Sequence, residues 1–178
     1  MNEIIGIDVD ADLDALPLGD MDLSEFAILH KAGKLWKSPL SDLFLFGSWA
    51  PTIIGATTAG TQTYDDQTGH FVKIGPLVHI QGRVSITAKD AAMAGNARIG
   101  ELPYPVRIVS GSTPRGAIAL SQFSGVTLSG QLGLDLVESA TYMRIYINSL
   151  SGGAPVSLGV SAIAEATSFV FGGTYITD

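Results

Sequence analysis

Apolar and polar residues alternate with a period of two over long stretches of this 178-residue chain. In residues 78–87 (VHIQGRVSIT) every second residue is apolar or glycine, and within residues 141–148 (TYMRIYIN) the apolar Met143, Ile145 and Ile147 alternate with more polar residues. This period is typical of β-strands that bury one face and expose the other. Both segments are predicted strands, and their outward residues include Gln81, Arg83, Tyr142, Arg144, Tyr146 and Asn148.

Shorter apolar runs predict the remaining strands, and glycine or proline lies in nearly every gap between them. These runs cover residues 53–57, 63–64, 71–74, 97–100, 117–123, 126–128, 132–136, 158–164 and 169–176. Many short strands separated by turn residues favour two stacked antiparallel sheets. We therefore predict an all-β fold, an antiparallel β-sandwich of the jelly-roll type.

The N-terminal part has a different pattern. Residues 26–30 (FAILH) and 34–37 (KLWK) flank a turn signal at residues 31–33 (KAG), which predicts a hairpin with a three-residue loop. Ser38 is a good N-cap and Pro39 suits the first helical position, so a short helix ending near Phe46 is predicted next.

Charge divides the chain into two parts. Eight acidic residues precede the first basic residue, namely Glu3, Asp8, Asp10, Asp12, Asp14, Asp20, Asp22 and Glu25. After residue 42 acidic residues are sparse, and serine, threonine, glycine and β-branched residues dominate. We predict an N-terminal unit over residues 1–46 and a β-sandwich domain over residues 47–178. A unit as small as the first cannot bury much core, so we expect it to need a partner.

Aspartates at every second position, Asp8, Asp10, Asp12 and Asp14, resemble the start of a calcium loop. Such a loop needs glycine at its sixth position and a bidentate glutamate at its twelfth, where this chain has Leu13 and Gly19. No metal site is therefore expected. The alternation instead predicts an extended arm with one charged and one apolar face, because a row of like charges disfavours a free sheet edge.

Composition excludes several classes of function. The absence of cysteine excludes a disulfide scaffold and thiol chemistry, and a net charge of −7 argues against nucleic acid as a partner. The acidic start does not resemble a signal peptide, and no apolar run approaches the roughly 18 residues of a membrane-spanning helix. No cofactor is expected, because neither a P-loop nor a dinucleotide-binding glycine motif is present.

Sequence motifs nominate no catalytic residues. His30, His70 and His79 do not have zinc-site spacing, and no G-x-S-x-G nucleophile turn occurs. Asp65 and Asp66 are adjacent, so on a strand they would point to opposite faces and could not flank one glycosidic bond; they read as turn residues. We therefore expect that the chain is not an enzyme.

An ordered set of motifs does carry a resemblance. Residues 47–106 contain G-x-W-x-P-T, then T-Y-x-x-Q-T-G-x-F-x-K-I-G, then G-N-A-x-I-x-x-L-P-Y. This string resembles a module that recurs in fibre proteins of tailed phages and prophages. Residues 13–43 more loosely resemble a small unit at the virion-proximal end of such fibres.

The resemblance implies a homotrimeric β-sandwich on the virion surface, made in the host cytoplasm and in contact with the host. The chain lacks the long shaft of most fibres, so a short fibre, a head spike, a tail-fibre subunit or a counterpart in a gene-transfer particle is expected. The arm is expected to attach to a capsid or tail protein without membrane insertion. Its attachment residues would be Ile7, Val9, Leu13, Leu16 and Leu18 on the apolar face and Asp8, Asp10, Asp12 and Asp14 on the charged face.

Two other classes remain open. One is a lectin-like carbohydrate-binding module that would bind a host-surface glycan through outward polar and aromatic residues. The other is a polysaccharide-degrading enzyme, which the missing acid–base pair and the short chain disfavour. The candidate ligand face comprises Tyr142, Arg144, Tyr146, Asn148, Gln81 and Arg83, and its alternative interpretations are a trimer seam or a plain solvated strand face.

Overall fold

The structure is a computed structural model that describes residues 6–8, 26–31, 34–39, 44–107 and 117–178. Contacts along the chain divide it into two compact units, Met1–Leu45 and Phe46–Asp178. This division lies one residue from the boundary that the charge pattern predicts.

The first unit contains a three-stranded antiparallel sheet. Its strands are β1 (Gly6–Asp8), β2 (Phe26–Lys31) and β3 (Lys34–Pro39), in the spatial order β1-β3-β2. The predicted hairpin is confirmed by the pairing of β2 with β3. Lys31 pairs with Lys34, so two residues separate the strands instead of the predicted three.

Part of the predicted arm is a strand. Residues Gly6–Asp8 pair with β3, with Ile7 opposite Leu35 and Asp8 opposite Lys34. Strand β1 is an edge of this sheet, although the row of like charges was expected to disfavour a sheet edge. The other predicted attachment residues, Val9, Asp10, Asp12, Leu13, Asp14, Leu16 and Leu18, lie outside the described residues.

The prediction of a short helix from Ser38 to about Phe46 is wrong at both ends of that range, where the structure has strands. Ser38 and Pro39 end strand β3, and residues Phe44–Trp49 form strand β4, while residues 40–43 lie outside the described part. A Cβ on Gly47 would lie 2.4 Å from Cε1 of Phe71, so β4 approaches the neighbouring strand closely. A capping signal is local, and cross-strand packing overrides it.

The second unit is an antiparallel β-sandwich, which confirms the predicted fold class. Its further strands are β5 (Thr52–Gly55), β6 (Thr63–Ile74), β7 (Leu77–Ala88), β8 (Ala97–Gly100), β9 (Ala117–Val126), β10 (Gln131–Leu136), β11 (Met143–Asn148), β12 (Val156–Ser157) and β13 (Ile163–Ile176). Both sheets have five strands; the one with the longer strands, called the larger sheet, has the order β4-β6-β7-β13-β9. The smaller sheet has the order β10-β11-β8-β5, with β12 beside β11.

The core lies between the two sheets. Val78, Ile80, Val84 and Ile86 of β7 are at most 1% exposed, as the alternation predicts. Met143 and Ile145 of β11, Leu132, Leu134 and Leu136 of β10, and Phe169, Phe171 and Tyr175 of β13 complete most of the central packing. Full burial of each such side chain contributes roughly 1.5–3 kcal/mol, so this layer holds the domain together.

Two details differ from the predicted strands. Residues 63–64 and 71–74 belong to one twelve-residue strand, β6, whose pairing with β7 shifts register near Tyr64. The predicted strand over residues 158–164 is wrong: Leu158 is buried, but Val160–Ala162 forms a 3₁₀ turn, and beyond it Ile163 is buried while Ala164 is exposed. The turn carries the chain from β12 in the smaller sheet to β13 in the larger one.

Glycines in the larger sheet accommodate two aromatic rings. Gly69 of β6 pairs with Gly82 of β7, and the rings of Trp49 and Phe171 lie over them with centroids 6.0 Å apart. A Cβ on Gly69 would lie 2.3 Å from Nε1 of Trp49, and one on Gly82 would lie 2.7 Å from Cζ of Phe171. Both contacts are too short for any side chain, so the rings occupy the space that larger residues would fill.

Tyr175 anchors the end of β13 to the segment after β8. Its hydroxyl donates to the carbonyl of Tyr104 at 2.9 Å and accepts from the Tyr104 amide at 3.3 Å. Burial raises the pKa of Tyr175 to about 12, because the phenolate would lose its hydration inside the core.

We expect the stability of the sandwich to fall at alkaline pH because of Tyr175. A pKa raised in the folded state means that the stabilisation is complete below the unfolded value of 10.0 and is lost as pH rises through about 12. The difference in the free energy of unfolding between wild type and Tyr175→Phe, measured by denaturant titration, should therefore shrink by roughly 2 kcal/mol from pH 9 to pH 12. A difference that does not change with pH would contradict this assignment.

Candidate functional site

The predicted ligand residues lie on two surfaces of the sandwich. Gln81 and Arg83 are on β7, on the outer face of the larger sheet. Arg144, Tyr146 and Asn148 are on β11, in the smaller sheet, and Tyr142 directly precedes that strand. Because the sheets pack through their inner faces, these two sets point in opposite directions and cannot form one binding face.

Side chains on the outer face of the smaller sheet contact one another, although Nε of Arg144 is buried without a hydrogen-bond partner among the described residues. The guanidinium of Arg98 lies 4.0 Å from the ring centroid of Tyr142, a cation–π arrangement. Arg144 donates through Nη2 to the carboxylate of Asp135, its cross-strand partner. The Tyr146 ring covers Gly133, whose added Cβ would lie 2.4 Å from Cζ of the ring. These charges and rings therefore have structural roles.

The outer face of the larger sheet carries an open groove of about 560 Å³. This volume is within the range of roughly 300–1,000 Å³ that is usual for small-molecule sites. Strand pairing places Thr68 beside Arg83 and His70 beside Gln81, while Gly172 of β13 lies on the other side of Gln81. With Ala119 and Ser121 of β9, the groove crosses four strands and has polar walls and a glycine in its floor.

An ion pair fixes one wall of the groove. Nε of Arg83 lies 3.3 Å from Oδ2 of Asp66, and the Thr68 hydroxyl donates to Oδ1 of the same carboxylate at 2.7 Å. Asp66 thus has a partner on each oxygen. The two terminal nitrogens of Arg83 have no protein partner within the described residues, and the side chain is 56% exposed.

The other polar side chains of the groove are also free to bind. His70 and Gln81 are exposed, and neither side chain has a hydrogen bond to the described part of the chain. Ser121 donates to the Val170 carbonyl at 3.0 Å, which leaves its oxygen able to accept. Donors and acceptors therefore surround a floor of small residues, Gly172 and Ala119.

Sequence reasoning found Gln81 and Arg83 but missed their neighbours. Asp66 was interpreted as a turn residue, and the structure places it within β6. Thr68 and His70 alternate with Gly69 and Phe71, a period-two pattern that could have extended the predicted strand at residues 71–74 back to residue 63. Which residues face Gln81 and Arg83 depends on strand register, which that pattern does not contain.

Within the described ranges, no three histidine, aspartate or glutamate side chains converge where they could hold a metal ion. In the same ranges no helix has the length and apolar character needed to cross a bilayer. Of the four aspartates of the arm, only Asp8 is described, and it is described as part of β1.

Comparison with known proteins gives a likeness in fold. No protein-family model matches the chain, and no curated protein matches it. Among solved structures, the crystal structure of the Dettilon tailspike protein (gp208) matches 75% of this chain with a TM-score of 0.57 and 19% sequence identity. The match spans only 24% of the tailspike. The chain is therefore similar in fold to about a quarter of a phage tailspike.

Proposed function

We propose that this chain is a structural protein of a phage or phage-derived particle, a spike or fibre subunit that displays its β-sandwich to the host surface. The observation that carries the proposal is the fold likeness to part of the Dettilon tailspike. The motifs of residues 47–106, which resemble a phage fibre module, support it independently. A short fibre, a head spike, a tail-fibre subunit and a gene-transfer particle are all compatible with it.

The proposed subunit assembles as a homotrimer and attaches through its N-terminal unit. Ile74, Leu77 and Ile176 are 41–45% exposed and neighbour one another across three strands of the larger sheet. Adjacent exposed apolar residues favour contact between copies of a chain, and closed cyclic symmetry is the usual outcome. The acidic arm, residues 7–18, is proposed to bind a capsid or tail protein.

We also propose that the sandwich is not itself an enzyme. A glycosidase needs two carboxylates on opposite sides of the scissile bond. Among the described residues that line the groove, Asp66 is the single carboxylate, and Arg83 and Thr68 already engage it. This arrangement suits recognition and provides no acid–base pair. It also favours the second candidate function, a lectin-like carbohydrate-binding module.

Purified particles test the proposal directly. We expect an antibody against the sandwich to label the particle surface in electron microscopy, and quantitative mass spectrometry to give a copy number divisible by three. Light scattering of the recombinant chain should give the mass of three chains at micromolar concentration. A chain that is absent from purified particles would refute the proposed function, and a monomer mass would refute the trimer alone.

A further inference from the structure

We propose that the groove between Asp66, His70, Arg83 and Gly172 binds a saccharide that carries a carboxylate. This inference deepens the proposed function, because it assigns a chemical class to the host-surface ligand of the displayed sandwich. It rests on three features of the groove: an arginine whose terminal nitrogens have no protein partner among the described residues, neutral polar side chains without such partners, and a floor that includes Gly172 and Ala119.

Arg83 would recognise the carboxylate. Its Nε lies 3.3 Å from Oδ2 of Asp66, and the side chain is 56% exposed, which leaves the two terminal nitrogens available to a ligand. That end is a planar pair of donors that matches the two oxygens of a carboxylate, the bidentate geometry that distinguishes arginine from lysine. Thr68 donates to the other oxygen of Asp66 and so orients the carboxylate that pairs with Arg83.

Neutral groups would recognise the sugar hydroxyls. The Gln81 amide offers both a donor and an acceptor, and the His70 imidazole offers one of each in its neutral form. Both side chains are exposed beside Arg83 in the strand pairing. Hydroxyl groups need this mixture, whereas a phosphate or sulfate would be better served by several cations, and Arg83 is the single arginine or lysine among the described lining residues.

The floor of the groove leaves room for a sugar ring. Gly172 lies beside Gln81, and a Cβ there would fall 3.3 Å from the carbonyl oxygen of Ile80 and 3.6 Å from Cγ of Gln81. Its neighbour in β9 is Ala119, so two adjacent positions of the sheet carry almost no side chain. A larger residue at position 172 would fill the space between Gln81 and strand β9.

The opposite face is a weaker candidate. There the guanidinium of Arg98 already lies over Tyr142, and Arg144 is already paired with Asp135. A ligand carboxylate would have to compete with Asp135 for Arg144, whereas the terminal nitrogens of Arg83 have no protein partner within the described residues. This difference makes the Arg98 surface a matched control for mutation.

A saccharide array tests the proposal. The full-length chain would be applied to bacterial glycans that contain uronic or other carboxylated sugars, printed beside their carboxyl-reduced counterparts. We expect binding to carboxylated glycans only, reduced at least about tenfold by Arg83→Gln and reduced in part by Arg83→Lys, which keeps the charge but loses the paired donors. Gly172→Val should also abolish binding, and Arg98→Gln should leave it unchanged.

Several outcomes would overturn the inference. They are a blank array, equal binding to carboxyl-reduced glycans, and binding that Arg83→Gln leaves unchanged in a variant whose thermal unfolding matches wild type. If Arg83→Gln alters the oligomeric mass while no glycan binds, the groove is a contact between copies of the chain and the inference is wrong.

A blank array with the chain present on particles would refute this inference alone. Glycan binding by a chain absent from particles would refute the proposed function alone.

Discussion

Gly82→Val should lower the free energy of unfolding by about 3 kcal/mol, among the largest effects of any single substitution in the sandwich. An added Cβ would lie 2.7 Å from Cζ of Phe171, and the ring of Trp49 is 3.4 Å away on the same side. Phe171 is 3% exposed, so its ring cannot turn aside without displacing other core residues. The cost is therefore steric strain in a closely packed interior.

Denaturant unfolding followed by tryptophan fluorescence measures this effect, because Trp49 lies at the strained contact. Gly159→Ala is the matched control: its backbone φ is −71°, and an added Cβ meets Ser161 Oγ at an ordinary 3.5 Å. We expect that control to change stability by less than about 0.5 kcal/mol. Combining Gly82→Val with Phe171→Leu should cost less than the sum of the two single changes, since the shorter side chain relieves the overlap. Additive costs would show that Phe171 is not the cause.

Removing residues 1–43 should abolish incorporation into particles while leaving the sandwich folded. Strand β4, Phe44–Trp49, forms an edge of the larger sheet, so the cut must preserve it even though the charge pattern places the boundary at residues 46 and 47. The first unit carries the acidic arm that we propose as the attachment segment. Loss of attachment without loss of the sandwich core is the expected result.

Two truncations separate folding from attachment. The chain of residues 44–178 should unfold with the same midpoint as the sandwich in the full-length protein. A chain of residues 48–178 should unfold earlier, because it loses more than half of β4 and the contact between Gly47 and Phe71. Particle incorporation is measured by quantitative mass spectrometry of purified particles. Normal copy number for residues 44–178 would place the attachment elsewhere and refute the role of the arm.

Only some residues of the candidate site can be predicted from the local sequence pattern. Gln81 and Arg83 were predicted as outward residues because apolar and polar residues alternate along β7. Such a period identifies the solvent-facing side chains of a strand without any knowledge of its partners. Asp66 and Gly172 became part of the same groove only through the pairing of β6 and β13 with β7. Tyr146 and Arg83 lie in different sheets. The sequence pattern could not show this, because the sheet to which a strand belongs depends on pairing with strands far away in sequence.

The sequence by itself determined the fold class, the inward and outward faces of β7, β10 and β11, and the hairpin of the first unit. Each of these follows from a short-range period or turn signal that the chain carries locally. Tertiary structure alone decided that residues 44–49 form a strand instead of completing a helix, that residues 160–162 form a turn, and which polar residues share the groove. Those outcomes depend on contacts between residues far apart in sequence, and their packing and strand-pairing energies outweigh the few tenths to about 1 kcal/mol of local preference.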